Sequence, residues 1–288
     1  MLLLLRIFSR FPLWCLYLLA DALIYPLLRY VVRYRLKLVR KNIVKSFPNK
    51  SAKEQNSIVD AFYHHFADIL VEMIYGYRVS DEEMKERVVF ENVELIEQLS
   101  SKTQGVIAYL GHMCNWEWIA DLQHRFANPE LVEYNVYRRL KNKGADDAML
   151  QLRGKRGGEC VEKNVLLRKL VQLRRVEHPF LVGLIADQKP SPRSGHVWTR
   201  FLHQDTAFLD GGEQLAKKFD YGVVYAHIIS LKRGYYRVRF ELITDNPSSI
   251  VENEITLSFA RLLEANIQEQ PERWLWTHNR WKWQRPIE

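Results

Sequence analysis

Apolar and polar positions along the chain fall into three regimes. Residues 11–28, FPLWCLYLLADALIYPLL, are apolar apart from Asp21. After the break at SFPNKSAKE, apolar side chains recur at helical spacing. Ile58, Phe62, Phe66, Ile69, Leu70 and Met73 form one stripe, which core packing explains. Ser51/Glu54 and Ser80/Glu83 have the three-residue spacing of helix-start capping boxes. From residue 104 short apolar runs alternate with amphipathic stretches. GVIAYL (105–110), LVEYNVY (131–137), PFLVGLIAD (179–187), HVWTRFL (196–202), GVVYAHII (222–229) and YYRVRFELI (235–243) predict strands. Residues 115–127, 142–153, 162–175, 210–219 and 249–270 predict helices. The alternation predicts an α/β fold, a single mixed β-sheet flanked by helices, with an N-terminal membrane-associated helix in front of it. The sequence has no fixed-period repeat and no flexible linker.

The first regime is marginal as a membrane span. As a helix it would be about 27 Å long, against a hydrocarbon core of about 30 Å. Asp21 near its middle costs roughly 2.5–3.5 kcal/mol, and nine Leu, Ile or Phe residues return roughly 0.3–0.6 each. A short or re-entrant span and an interfacial anchor both fit, and Pro26 marks a kink position. Ala20 and Ala22 resemble a signal-peptide cleavage site. The apolar run continues past them into a basic segment, which favours a retained anchor. A buried helix of a soluble core is the plain alternative. Arg29, Arg33, Arg35, Lys37, Arg40, Lys41 and Lys45 follow the run, and only Arg6 and Arg10 precede it. A spanning helix would place the rest of the chain in the cytoplasm. A surface helix would bring the same charges to anionic headgroups. The expected division is an anchor over residues 1–33 and one domain over 34–288.

Composition narrows the partners. The chain has 288 residues, 47% of them apolar, enough for a sizeable core. A net charge of +8 and a pI near 9.3 favour anionic partners: nucleic acid, phosphorylated lipid, an acidic carrier protein or a membrane surface. The densest basic tract is Arg138, Arg139, Lys141, Lys143, Arg153, Lys155, Arg156 and Lys163. It suits lipid phosphates and an acidic carrier, or simply a solvated surface. No RRM, KH, zinc-finger or helix-turn-helix pattern accompanies it, so nucleic acid is not an expected partner. Cys15, Cys114 and Cys160 are odd in number and form no CxxC, so a reducing compartment fits better than a disulfide framework. His112, Cys114, Glu117 and His124 match no standard zinc spacing, and no metal is expected.

The candidate chemistry lies where the first strand ends, in GHMCNWEW (111–118). Within one α-helix His112 and Glu117 would point about 140° apart. With His112 in the strand-end loop and Glu117 in the first turn of a helix capped by Asn115, the two can meet. The C-terminal end of a strand is also where α/β sheets place ligands. A histidine there can accept a proton near neutral pH, and a carboxylate beside it fixes its tautomer. No G-x-S-x-G nucleophile is present, and Cys114 is suggested as one only by its proximity to His112. Direct deprotonation of a substrate hydroxyl suits the pair better. Asp187, ending the most apolar strand, either faces a cleft or caps the turn at Pro190. Trp274, Trp276, Trp281 and Trp283 around His278, Arg280 and Lys282 read as an interfacial belt or as sheet-edge packing.

His-x4-Glu after a buried strand resembles the H-x4-D/E signature of membrane glycerolipid and lipid A acyltransferases. GHMCNWEW is similar to the G-H-F-G-N-W-E of the lauroyl/myristoyl acyltransferases of lipid A biosynthesis. Further matches follow in order: KNIVKSFPNKS to Asn-x4-Phe-Pro, VYRRLKN to V-Y-R-P-x-x-N, LRGKRGG to an arginine-containing segment, LIADQ to an Asp-containing strand end, and WLWTHNRWKWQRP to W-x-H-x-R-[FW]-K-x-R-P. Together they cover about residues 36 to 286. The family's Phe-Phe-Gly has only the looser counterpart RFLHQD (200–205), and Met113 and Cys114 replace a small or aromatic pair.

The resemblance implies acyl transfer from acyl carrier protein to a hydroxyl of a lipid A precursor, on the cytoplasmic face of a bacterial inner membrane. The acyl thioester is then a co-substrate and no cofactor is required. Residues 34–288 would be the acyltransferase domain. By motif position His112, Glu117, Arg153 and Asp187 are the catalytic candidates. Asn115, Arg138, Arg156 and Gln188 are the substrate-binding ones. Glu117 is expected to orient His112, and Asp187 to position Arg153 or the acceptor. Aminolipid and phospholipid acceptors stay open, as does a non-catalytic basic protein that binds anionic lipid.

Overall fold

The N-terminal apolar segment is helical. It forms α1, Leu13–Leu19, and continues through π-helical stretches at Ala20–Ile24 and Leu27–Val31. The computed structural model describes residues 7–191, 194–283 and 285; Arg6 of this segment, and Gln284 and Pro286 of the C-terminal motif, lie outside the described residues. After α2 (Leu36–Ser46) comes α3, Ala52–Tyr75, whose start carries the expected capping box between Ser51 and Glu54. Ile58, Phe62 and Ile69 of the sequence stripe are buried, while Phe66, Leu70 and Met73 are partly buried.

The Leu13–Val31 helix is long and apolar enough to cross a membrane. In the fold it lies along α3, and it is not apolar all round. Tyr17, Asp21, Tyr25 and Arg29 recur every four residues and face a matching ladder on α3. The Tyr17 hydroxyl donates to Glu72 at 2.7 Å. Asp21 shares Arg233 with Asp68. Tyr25 stacks on His64 with ring centroids 3.5 Å apart. Arg29 donates to Asp60 at 2.7 Å. Leu13, Leu16 and Ala20 are buried beside this seam, and Trp14, Leu18, Leu23, Leu27 and Val31 are exposed on the other side. Asp21 is thus paired within the protein rather than left as a bare charge.

The rest of the chain builds the α/β domain. Following α4 (Asp81–Arg87), the strands and helices run β1 (Val88–Glu91), α5 (Val93–Thr103), β2 (Gly105–Leu110), β3 (Val132–Tyr137), α6 (Lys143–Gly154), β4 (Glu159–Glu162), α7 (Leu166–Val176), β5 (Phe180–Ile185), β6 (His196–Phe201), β7 (Gln204–Leu209), α8 (Gly211–Phe219), β8 (Gly222–Lys232), β9 (Tyr235–Thr244) and α9 (Glu254–Glu269). Seven strands form one sheet in the order β1-β9-β8-β2-β5-β3-β4. All neighbours are parallel except the β8–β9 pair. This is the expected mixed α/β sheet flanked by helices, and it is parallel apart from that one pair. β2 lies in its middle with all six residues buried. Such a strand reads as an unbroken apolar run because both faces are covered.

Several local expectations need correction. The strands Val88–Glu91 and Glu159–Glu162 were not anticipated; each is a short parallel edge strand without polar–apolar alternation. HVWTRFL does not join the main sheet. It pairs with Gln204–Leu209 in a separate two-stranded hairpin. The hairpin turn holds Leu202 at φ 48° and His203 at φ 61°. Tight hairpin turns require positive φ, which is why glycine is common there; histidine is among the side chains that tolerate it. RFLHQD is therefore the end of a hairpin. The helix expected over 115–127 is instead a 3-10 helix, Trp118–Arg125. Asn115 does not cap it: its side-chain amide donates to buried Glu72 at 2.7 Å.

Candidate active site

Register brings the first pair together. β2 and β5 are parallel neighbours, and their last residues, Leu110 and Ile185, are partners across the ladder. The Ala186 N–H extends it by donating to the Leu110 carbonyl at 3.1 Å. His112 and Asp187 each lie two residues past those partners, at the C-terminal edge of the central strands. The His112 backbone N–H donates to Asp187 Oδ2 at 2.9 Å, and His112 Nδ1 lies 2.6 Å from Asp187 Oδ1. The Trp274 indole N–H donates to Asp187 Oδ2 at 2.7 Å. Gly111 leaves space that a side chain would take: a Cβ there would meet Leu263 at 2.5 Å.

Asp187 is 3% exposed. Burial alone would raise its pKa, but His112 and the Trp274 N–H outweigh burial and hold it at about 2. The ionised carboxylate accepts a hydrogen bond from Nδ1–H, which leaves Nε2 as the acceptor of the imidazole. Gln188 Nε2 lies 3.3 Å from that nitrogen.

Glu117 does not orient His112. It is 7% exposed and receives both arms of Arg153, from Nε to Oε2 and from Nη2 to Oε1, each at 2.7 Å. The Trp116 indole N–H adds a third bond to Oε1 at 3.0 Å. Burial pulls the Arg153 guanidinium down, but its bonds to Glu117 and the carboxylate charge raise it above its ordinary value. The assignments made from sequence are therefore exchanged: the distant Asp187 holds the histidine, and the nearby Glu117 holds the arginine. Trp116 joins the two pairs, its ring meeting the His112 ring edge-on at 5.0 Å. Only its place between His112 and Glu117 in the chain hinted at this.

The other candidates scatter. Asn115 is buried against Glu72, with its carbonyl oxygen unpartnered. Three donors serve that glutamate: the hydroxyls of Tyr17 and Tyr236, and Asn115. Burial nevertheless raises its pKa to about 7. Arg138 is exposed just beyond β3. Arg156 is 2% exposed, donating to the carbonyls of Gly76 and Val79 and lying near Asp81 and Asp121. Its surroundings are those of a structural cation, because the helix end turns it inward. Asp81, Asp121 and His124 converge closely enough to hold a metal ion, but Arg156 and Arg125 already pair with the carboxylates. Cys114 is fully buried, and burial pushes its thiol above the ordinary range, which argues against a nucleophile.

The C-terminal tail closes the site from behind. Trp274 bridges Met113, the Cys114 N–H donates to the Arg273 carbonyl, and the Leu275 N–H donates to the His112 carbonyl. His278 Nε2 accepts the Lys189 N–H at 3.2 Å, and burial lowers its pKa to about 4. Arg280 is 3% exposed and donates to the Ala207 carbonyl at 2.6 Å. These tail residues tie the site together. On the other side, beside Glu117 and Arg153, an apolar cavity of about 50 Å³ lies against Ala108, Leu110, Leu181 and Ile185.

The arrangement supplies a base with a fixed tautomer and, on the same edge, a permanent cation with a fixed fork. That is what addition of a hydroxyl to an acyl carbonyl needs. No curated protein matches the chain at a significant level. The family of bacterial lipid A biosynthesis acyltransferases matches residues 2–283. With the match running over nearly the whole chain, the protein belongs to that acyltransferase family.

Proposed function

We propose that the protein transfers a fatty acyl chain from acyl carrier protein to a hydroxyl of a lipid A precursor, at the cytoplasmic face of a bacterial inner membrane. The observation that carries the reaction is the His112–Asp187 contact at 2.6 Å, which leaves Nε2 free to take a proton. The acceptor hydroxyl replaces Gln188 at Nε2 and gives up its proton to His112. Its oxygen attacks the thioester carbonyl, forming the new C–O bond. Negative charge gathers on the carbonyl oxygen and is met by Arg153, whose fork Glu117 holds in place. The tetrahedral carbon then collapses, the C–S bond breaks, and the proton on His112 passes to the leaving thiolate. Asp187 stabilises the imidazolium throughout and does not itself change protonation.

Membrane delivery is supported by the outer side of the Leu13–Val31 helix, where Trp14 and Val31 are 64% and 72% exposed. Residues 29–50, which follow, contain basic residues and no acidic one. An acidic carrier and anionic headgroups both suit that charge. The test uses full-length protein with labelled acyl carrier protein, or labelled acyl-coenzyme A, and a lipid A precursor in mixed micelles. The expected product is an acyl ester formed from the carrier at the higher rate. Transfer from neither donor sinks the proposal; transfer from coenzyme A alone overturns its donor.

A further inference from the structure

A second, larger cavity of about 340 Å³ lies between α2, the turn of the β6–β7 hairpin and the C-terminal tail. Its walls are fixed. The Asn42 amide donates to the carbonyls of Trp276 and His278 at 3.0 and 3.1 Å, tying α2 to the tail. Gln204 donates to Ser46 at 3.3 Å, tying the hairpin to α2, and Trp281 donates to Thr206 at 2.7 Å, tying the tail to the hairpin. The lining includes Lys41, Lys45 and Arg285. Among the described residues none of the three has a carboxylate within ion-pair distance. The acid in the lining is Asp205, which is half exposed and faces Arg200 at 3.8 Å. The cavity therefore carries an uncompensated positive charge. Alongside it are two partly buried indoles, Trp281 and Trp283, and the side-chain amide of Asn279.

The cavity is joined to the catalytic edge. Asn279 follows His278, whose ring accepts the Lys189 N–H. The Lys189 ammonium lies 5.1 Å from the Trp283 ring, and its chain neighbour Gln188 touches His112. The cavity wall is thus linked by direct contacts to the residues around His112.

We infer that this cavity binds a phosphate ester on the sugar headgroup of the acyl acceptor. Cations without partners call for a multiply charged anion. Indole faces and a neutral amide suit the C–H faces and hydroxyls of a sugar ring. The inference rests on the proposed reaction and names its specificity site. The same phosphate chemistry occurs on the prosthetic arm of a carrier protein, so the experiment must separate acceptor from donor. α2 follows directly on the apolar helix, which places Lys41 and Lys45 where a lipid headgroup arrives, and this favours the acceptor.

The test is steady-state kinetics on full-length protein with two acceptors, phosphorylated and enzymatically dephosphorylated. Lys41→Ala/Lys45→Ala and Arg285→Ala should each raise the KM for the phosphorylated acceptor about 10-fold or more, the scale of a lost charge-assisted bond. Donor KM should not move. With the dephosphorylated acceptor, wild type and variants should be alike. Lys41→Arg/Lys45→Arg should restore most of the affinity. A rise in donor KM, or an equal rise with both acceptors, overturns the inference while leaving the reaction intact. Wild-type protein that transfers no acyl group to either acceptor defeats the reaction itself. A measurement free of activity and of mutant folding uses wild type alone. Glucose 1-phosphate should protect Lys41 and Lys45 from an amine-acetylating reagent, read by peptide mass spectrometry, and glucose should not. Equal protection by both sugars, or by neither, overturns the site.

Discussion

Two buried carboxylates face the same edge of the sheet, and they are built differently. Asp187 follows a central strand and is bonded by donors from two segments, the His112 loop and the C-terminal tail. Glu117 belongs to the turn entering a short 3-10 helix. It is bonded by Arg153 at the end of α6 and by its own neighbour, Trp116. The first pair is fixed by strand register, and an imidazole held that way has a defined free nitrogen. The second is a fork-to-fork contact between two side chains. It defines the direction of a permanent charge rather than the position of a proton. The difference matches the two tasks proposed for them: the pair that moves a proton sits on the sheet, and the pair that meets developing charge sits on a helix end.

Breaking the first pair is expected to have the largest effect. His112→Ala should retain the fold and lose roughly 10²–10⁴-fold in turnover, the usual scale for a positioned base. Activity near wild type in a purified assay would remove His112 from the mechanism. Asp187→Asn should fall almost as far: an amide has one accepting atom, and with that oxygen on the His112 and Trp274 N–H groups its NH2 faces Nδ1 and shifts the imidazole proton to Nε2. This variant also has a pH signature. Asp187 ionises in the folded protein at about 2, below the ordinary value near 3.9. Its contribution is full above about pH 4 and is lost as pH falls toward 2. The size is roughly 2–3 kcal/mol by linkage. Denaturant melts between pH 2 and 5 should show the slope in wild type and a shallower one in Asp187→Asn. Parallel slopes would mean that the carboxylate is not held this way.

The two pairs were not equally legible in the sequence. All four side chains could be named from their motifs, but their pairing could not. His112 and Glu117 are five residues apart and suggested a contact. His112 and Asp187 are separated by a whole crossover and meet only because β2 and β5 are adjacent with Leu110 opposite Ile185. Sequence proximity carries no information about that register. The helix expected from Asn115 failed for a related reason. A buried carboxylate, Glu72 on α3, takes the amide that would have capped it. Long apolar strands and strongly amphipathic helices were readable because their pattern is local. The edge strands β1 and β4 were not, being four residues each with no alternation to reveal them. The N-terminal helix lay between these cases. Its apolar content was obvious, yet the four-residue spacing of Tyr17, Asp21, Tyr25 and Arg29 acquires meaning only opposite Asp60, His64, Asp68 and Glu72.

Breaking the second pair should cost less and change different constants. Arg153→Lys keeps the charge and loses the fork. If Arg153 meets charge that develops in the transition state, kcat should fall more than KM rises. Glu117→Gln leaves Arg153 charged but held by a weaker, neutral acceptor. It should reproduce the Arg153→Lys pattern at smaller size, about 10-fold, the value of a charge-assisted bond. A rise in acceptor KM with kcat unchanged in both variants would instead give Arg153 the role of a phosphate clamp, alike in ground and transition states.

The smallest expected effect asks which pair Trp116 serves. Its ring packs edge-on against His112, and its N–H reaches Glu117. Trp116→Phe keeps an aromatic ring near His112 and deletes the bond to Glu117. One lost hydrogen bond to a charged group, partly offset by water in a half-buried position, predicts a kcat loss of about 3–10-fold. The size alone decides little, so the variant is best combined with each pair in turn. If the indole acts through Glu117, Trp116→Phe added to Glu117→Gln should cause little further loss, because the same bond is already weakened. Added to Asp187→Asn, it should multiply the loss, because the two changes then act on separate groups. The reverse result, independence from Glu117→Gln and coupling to Asp187→Asn, would assign Trp116 to the imidazole. It would also leave the arginine pair held by its own two bonds alone.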